Sequence, residues 1–142
     1  MIKLLAKSFP DIGLLILRVG LGFHFILHGY PKIVGGPEKW AKVGGAMANL
    51  GIDSAPTFWG FMAAISELGG GVLLIAGFLF RPANAALAFT MLVAAIMHHT
   101  MGDSYMFKTS RPVELLFVFI GLMFIGPGRF SVDNKLFKDD SQ

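Results

Sequence analysis

Cysteine is absent from this chain of 142 residues. Its absence excludes disulfide bonds, thiolate metal ligands and thiol–disulfide exchange within the chain. Charged residues are also scarce, at 15% of the sequence, where a soluble domain carries about 25%. Hydrophobic residues make up 54%, so the composition predicts one integral membrane domain covering residues 1–142.

Several functional motifs are missing as well. The sequence has no G-x-x-x-x-G-K-[ST], no G-x-G-x-x-G after a strand and no H-E-x-x-H, so nucleotide-dependent catalysis within the chain is not expected. The net charge of +3 is scattered over loops and ends, and no nucleic-acid partner is predicted. The first apolar run contains Arg18, and no A-x-A site follows it directly, which predicts a retained helix rather than a signal peptide.

Four apolar stretches are candidates for crossing a bilayer, at approximately residues 10–29, 57–80, 83–100 and 110–127. About 20 residues of helix match the thickness of the hydrocarbon core, and the fourth stretch is the shortest. Short connections after the second and third stretches make neighbouring helices antiparallel. The predicted fold is therefore all-α: an integral membrane four-helix bundle of up-down-up-down topology, surrounded by membrane lipid.

The sizeable connection between the first two spans covers residues 32–56. Tyr30-Pro31 is expected to end the first helix before it. Apolar residues then recur at helical spacing, which predicts a short amphipathic helix on the membrane surface with Trp40 as its interfacial anchor. Gly44-Gly45 in the middle of this segment leaves a plain surface loop as the alternative.

The orientation of the chain rests on the distribution of its basic residues. The N-terminus, the turn at Arg81 and a polar tail at residues 129–142 share one side of the predicted bundle. That side carries six basic residues and the opposite side carries five. The positive-inside rule therefore favours cytoplasmic termini by a single residue.

Two charged residues lie near the predicted midplane of the bilayer. Arg18 lies about 12 Å into the first span and Glu67 about 15 Å into the second, at 1.5 Å per residue. A charge at the bilayer centre costs about 2.5–3.5 kcal/mol. The sequence therefore predicts a buried Arg18–Glu67 ion pair, which either fixes the helix register or contacts a proton or ligand.

Histidines near the ends of the first and third spans are expected to meet a carboxylate at the start of the fourth. All of these positions fall on the same side of the predicted bundle, beneath the 32–56 connection. A lysine after the first span lies at the rim of the layer. The candidate residues for ligand binding or a proton relay are His24, His28, Lys32, His98, His99 and Glu114.

Three chemistries are compatible with this polar layer. Imidazoles beside a carboxylate can pass protons to a redox-active headgroup such as a quinone, because histidine titrates near neutral pH. Histidine and carboxylate groups can bind zinc or iron, and histidine can ligate haem. Alternatively, the histidines are interfacial helix-end residues that bind water or carbonyl groups. No metal ligand is assigned.

Short motifs follow one another in a specific order along the chain. They are LRVGLG at 17–22, HGYPKI at 28–33, SELGGG at 66–71, RP at 81–82 and PVE at 112–114. Over roughly residues 10–128, these motifs make the sequence resemble the DoxX family of small four-helix membrane proteins.

The resemblance implies a bacterial inner or plasma membrane protein with both termini in the cytoplasm. The family name is attached to a subunit of a thiosulfate:quinone oxidoreductase, and many members are called oxidoreductases without a defined reaction. A quinone-linked, redox-associated subunit acting with a partner protein is therefore expected. Arg18, Lys32, Glu67 and Glu114 match recurrent polar positions of the family. The alternative hypothesis is a non-catalytic membrane scaffold or small-solute carrier.

Overall fold

A computed structural model describes residues 9–137, and in this part of the chain the regular structure is helical, with no strand. A 3-10 turn at Gly45–Leu50 and a π-helical turn at Tyr105–Thr109 separate some of the α-helices. The all-α class is therefore confirmed. The α-helices are α1 (Pro10–Ile33), α2 (Gly36–Gly44), α3 (Pro56–Ala76), α4 (Phe80–Thr100), α5 (Ser110–Ile125) and α6 (Val132–Phe137).

Three helices, α1, α3 and α4, are long and apolar enough to cross a membrane. They contain 24, 21 and 21 residues. Helix α5 has 16 residues, which is about 24 Å of helix and short of a full hydrocarbon thickness. These three helices are therefore candidate membrane spans, whereas the predicted fourth span and the four-helix up-down bundle are not confirmed and stay predictions.

Helices α1 and α3 touch through their backbones. A Cβ on Gly22 would lie 2.5 Å from the carbonyl oxygen of Gly71, and a Cβ on Gly71 would lie 2.6 Å from the carbonyl oxygen of Gly22. Only glycine permits so close an approach, as at other small-residue helix contacts in membranes. Gly29 meets Leu68 further along, so the two helices run antiparallel in a fixed register.

The hydrophobic core lies between α1, α3, α4 and α5. Phe25 of α1 meets Phe119 of α5 edge to face at 5.1 Å between ring centroids, and Leu74 and Leu87 are fully buried beside them. Large apolar side chains also point outward, and Phe124 is 82% exposed. Such an apolar exterior suits contact with lipid.

Helix α1 is longer than predicted, because Tyr30-Pro31 does not end it. Pro31 lies inside the last turn and the helix continues to Ile33. Pro31 has no N–H to donate to the carbonyl four residues earlier, so it costs the helix one backbone hydrogen bond. The Nε1–H of Trp40 donates to the carbonyl oxygen of Lys32 at 2.8 Å, which satisfies one of the free carbonyls at the end of the helix.

The boundary between α3 and α4 also differs from the prediction. Helix α3 ends at Ala76, because Gly77 adopts a left-handed conformation with φ of 65°. Helix α4 then begins at Phe80. Pro82 lies in its first turn, where the missing N–H has no intrahelical acceptor to lose.

Residues 36–44 form the short helix that the sequence favours over a plain loop. The backbone of α2 packs on the first turns of α3, since a Cβ on Gly60 would collide with the carbonyl group of Trp40. The indole of Trp40 also packs on Phe61, at 4.7 Å between ring centroids. The placement of α2 at the membrane surface stays a prediction.

The segment predicted as a polar tail, 129–142, is helical at Val132–Phe137 and bonded to the bundle. The carboxylate of Asp133 accepts hydrogen bonds from the backbone N–H groups of Leu79 and Phe80 at 3.0 and 2.9 Å. It therefore caps the N-terminus of α4 from outside the helix. Residues 138–142 lie outside the described part.

Candidate functional site

Arg18 is buried, with 1% of its surface exposed, and it binds backbone carbonyl groups. It donates to Leu74 and Ile75 at the end of α3, each at 2.9 Å. It also donates to Pro127 at 2.8 Å and Phe130 at 3.0 Å, in the segment after α5. A cation at a helix C-terminus is electrostatically favourable, so Arg18 ties two parts of the chain together at this end of the molecule.

Glu67 pairs with Lys32 instead of Arg18. The Lys32 Nζ donates to Glu67 Oε1 at 2.6 Å, so the predicted Arg18–Glu67 pair is wrong. The reason is the register set by Gly22 and Gly71. Arg18 lies one turn before Gly22, opposite the end of α3, whereas Glu67 lies one turn before Gly71, opposite the C-terminal half of α1.

The Lys32–Glu67 pair lies in the wall of a cavity of about 390 Å³ between α1, α3, α4 and the start of α5. This volume falls within the range of about 300–1,000 Å³ that is typical of small-molecule sites. Apolar side chains complete the wall, among them Phe25, Met91 and Leu115. The ionisable side chains that line the cavity are His24, His28, Lys32, Glu67, His98, Lys108 and Arg111.

Four of the six candidate residues for the polar layer thus line one cavity. His24 and His28 are one turn apart on α1, and their ring centroids are 4.5 Å apart. Lys32 follows one turn later on the same helix, and His98 faces them from α4. Helices α1 and α4 therefore present three imidazoles and an ammonium group to the same space.

The other two predicted residues, His99 and Glu114, are exposed and lie outside the cavity lining. Successive residues of an α-helix are about 100° apart. His99 is therefore turned away when His98 faces the cavity. On α5, Arg111 and Leu115 line the cavity, which turns Glu114 toward the outside. The prediction that Glu114 contacts the shared cavity is wrong for this reason.

Asp103 was not among the predicted residues, yet it connects two groups of the lining. Its Oδ2 lies 2.7 Å from His98 Nδ1, and its Oδ1 accepts a hydrogen bond from Lys108 Nζ at 2.8 Å. These bonds, from Lys108 first and His98 second, hold the pKa of the Asp103 carboxyl below its usual value. The connection around Asp103 has no helical periodicity, so its sequence gives no signal for this contact.

A second and larger cavity, of about 710 Å³, lies at the other end of the molecule near α6. Its two carboxylates already accept backbone hydrogen bonds, Asp11 from Arg129 and Asp133 from the start of α4. Within residues 9–137, no group of three or more His, Asp or Glu side chains is placed to hold a metal ion. The smaller cavity is therefore the better candidate site, because its ionisable groups face a shared space.

Comparison with known proteins adds to this geometry. The profile of the DoxX family matches residues 13–100. The inner membrane protein YqjF of Escherichia coli is 30% identical over 93% of this chain and 98% of its own length. The inner membrane protein YphA of the same organism is 30% identical, over 86% and 89%. A Bacillus subtilis protein named "Putative oxidoreductase CatD" is 32% identical, over 93% and 92%. No solved structure matches the chain.

Proposed function

This chain belongs to the DoxX family of membrane proteins, and from that premise we propose that it binds a quinone-type ligand as the membrane subunit of a redox system. The observation that carries the proposal is the cavity of about 390 Å³, which combines an apolar wall with three imidazoles and with two basic side chains, Lys108 from the turn before α5 and Arg111 from α5. Its inner-membrane relatives, and the oxidoreductase name of one of them, support the setting.

The lining suits both the ring and the oxygens of a quinone. Phe25, Met91 and Leu115 offer apolar contacts for a planar ring. Lys108 and Arg111 can donate hydrogen bonds to carbonyl oxygens, and their charge favours the negative charge that those oxygens gain on reduction. The imidazoles can form hydrogen bonds with the same oxygens. Electrons would be exchanged with a partner protein.

Binding measurements in detergent test the proposal with a matched pair of variants. His98 lines the cavity and His99 does not, although they are neighbours on α4. His98→Ala should weaken binding of a short-chain quinone by about tenfold, the value of one hydrogen bond. His99→Ala should bind as the wild type does.

The contrary result is equally specific. If the wild type, His98→Ala and His99→Ala all bind the quinone equally, the cavity is not the quinone site. A non-catalytic membrane scaffold or small-solute carrier would then be the better description of the chain.

The proposed membrane arrangement is an up-down-up-down bundle in which α5 forms the fourth crossing and α2 lies at the headgroup level. The bonds of Arg18 to the end of α3 and to residues after α5 support it, because they bring those segments to one end of the molecule. We assign that end, and with it both termini, to the cytoplasm.

Single cysteines can report this topology because the chain has none of its own. Lys39 and Lys135 are both exposed, on α2 and α6. In intact cells with a permeabilised outer membrane, a membrane-impermeant maleimide should label Lys39→Cys. Lys135→Cys should react only after lysis. The reverse pattern would invert the orientation, and labelling of both in intact cells would mean that α5 does not cross.

A further inference from the structure

The carboxylate of Glu67 has one oxygen with a donor and one without. Its side chain is 4% exposed. Oε1 accepts the hydrogen bond from Lys32, whereas Oε2 is buried and has no hydrogen-bond partner. An ionised carboxylate accepts hydrogen bonds at both oxygens and donates none. Glu67 lines the cavity, although Oε2 itself is covered. Because a buried acceptor without a donor is unfavourable, a ligand that brings a donor would favour a small movement of the Glu67 side chain that presents Oε2 to the cavity.

From this geometry we infer that the cavity selects the hydroxyl-bearing, reduced form of its ligand, a quinol, through Glu67 Oε2; the inference rests on the proposed function. A quinol has O–H groups that can donate to Oε2. A quinone has only carbonyl oxygens there, and two acceptors facing each other repel. Lys32 holds the carboxylate in place by occupying Oε1, which leaves Oε2 as the oxygen that discriminates.

The wild-type protein tests this directly in anaerobic titrations with three ring-matched probes. A short-chain hydroquinone should bind tighter than the corresponding quinone, by an order of magnitude or more, since a hydrogen bond to a charged group is involved. The dimethyl ether of the hydroquinone, which has no donor, should lose that advantage. The absence of cysteine removes thiol addition to the quinone as a complication.

Glu67→Gln provides a readout that a purely structural residue would not give. The carboxamide oxygen can still accept from Lys32, while the amide nitrogen presents a donor where Oε2 presents an acceptor. The preference should therefore invert, so that the quinone gains affinity and the hydroquinone loses it. A structural defect would weaken both probes together. A melting curve checks folding, and His99→Ala should keep the wild-type preference.

Each outcome has one meaning. Tighter binding of the hydroquinone, inverted in Glu67→Gln, supports the inference. Equal binding of hydroquinone and quinone to the wild type, or tighter binding of the quinone, overturns it and leaves the proposed function intact. If neither probe binds, the proposed function itself fails.

Discussion

Replacement of Arg18 by methionine is the most informative single change to the architecture. Methionine fills part of the same volume without charge or donors. The variant leaves four carbonyl oxygens without the guanidinium, two at the end of α3 and two in the segment after α5. We expect a large loss of stability and a local release of that segment.

The size of the loss follows from the partners. A hydrogen bond to a charged group contributes about 1.5–3 kcal/mol. The sum over the four bonds of Arg18 is an upper limit for the loss in the free energy of unfolding, and we expect a smaller loss. The carbonyl of Leu74 also accepts from the N–H of Gly77. The bonds to Pro127 and Phe130 are only partly buried, so water can replace them. A loss of about 2–4 kcal/mol in the free energy of unfolding is therefore expected for Arg18→Met.

Unfolding titrations in mixed micelles measure this value. Arg18→Lys should recover only part of the loss, because an ammonium group lacks the planar fork of donors that reaches both segments. Trypsin should cut after Arg129 faster in Arg18→Met than in the wild type. Combined with Glu67→Gln, the effects should add to within about 0.5 kcal/mol, since the two residues do not touch. A loss below about 0.5 kcal/mol for Arg18→Met would refute the reasoning.

Three further changes probe the helix contacts and the connection before α5. Gly60→Ala should lower the melting temperature, because its Cβ collides with the backbone of α2, whereas Gly69→Ala has room for its Cβ and should not. Asp133→Ala, which removes both acceptor oxygens, should cost about 1 kcal/mol in an unfolding titration, as loss of a helix cap does; an unchanged free energy of unfolding would show that Asp133 is not a cap. Since the pKa of the Asp103 carboxyl is lowered, its contribution to stability is complete above about pH 4 and is lost as the pH falls through the folded pKa. Lys108→Ala should raise that pKa toward its ordinary value in an NMR titration of the carboxyl carbon, and an unshifted titration would contradict the contact.

Helices are predictable here because their signals are local. Runs of apolar residues, with proline near the start and glycine at the end, place α3 and α4 to within a few residues. The exceptions arise where a local signal is weaker than its surroundings. Pro31 costs the last turn of α1 one backbone hydrogen bond, and Trp40 from α2 caps the end of that turn.

The sequence predicts at which end of the bundle the candidate site lies, but it does not predict which side chains there contact one another. Helix length brings His28 and His98 to the same end. The partner of Glu67 depends on how far α3 slides along α1, and the backbone contact of Gly22 with Gly71 decides this. The depth of a residue, counted from the start of its helix, does not reveal that register. A prediction from depth alone therefore pairs Glu67 with Arg18 and not with Lys32.

Photolabelling with a light-activated quinone analogue tests the central claim, that the cavity between α1, α3, α4 and α5 is the ligand site. Peptides would be mapped after illumination, with and without excess unlabelled quinone. We predict label within residues 24–32 of α1 and 91–98 of α4, and its displacement by the competitor. Label concentrated at residues 127–137, beside the larger cavity, or label that the competitor does not displace, would contradict the claim.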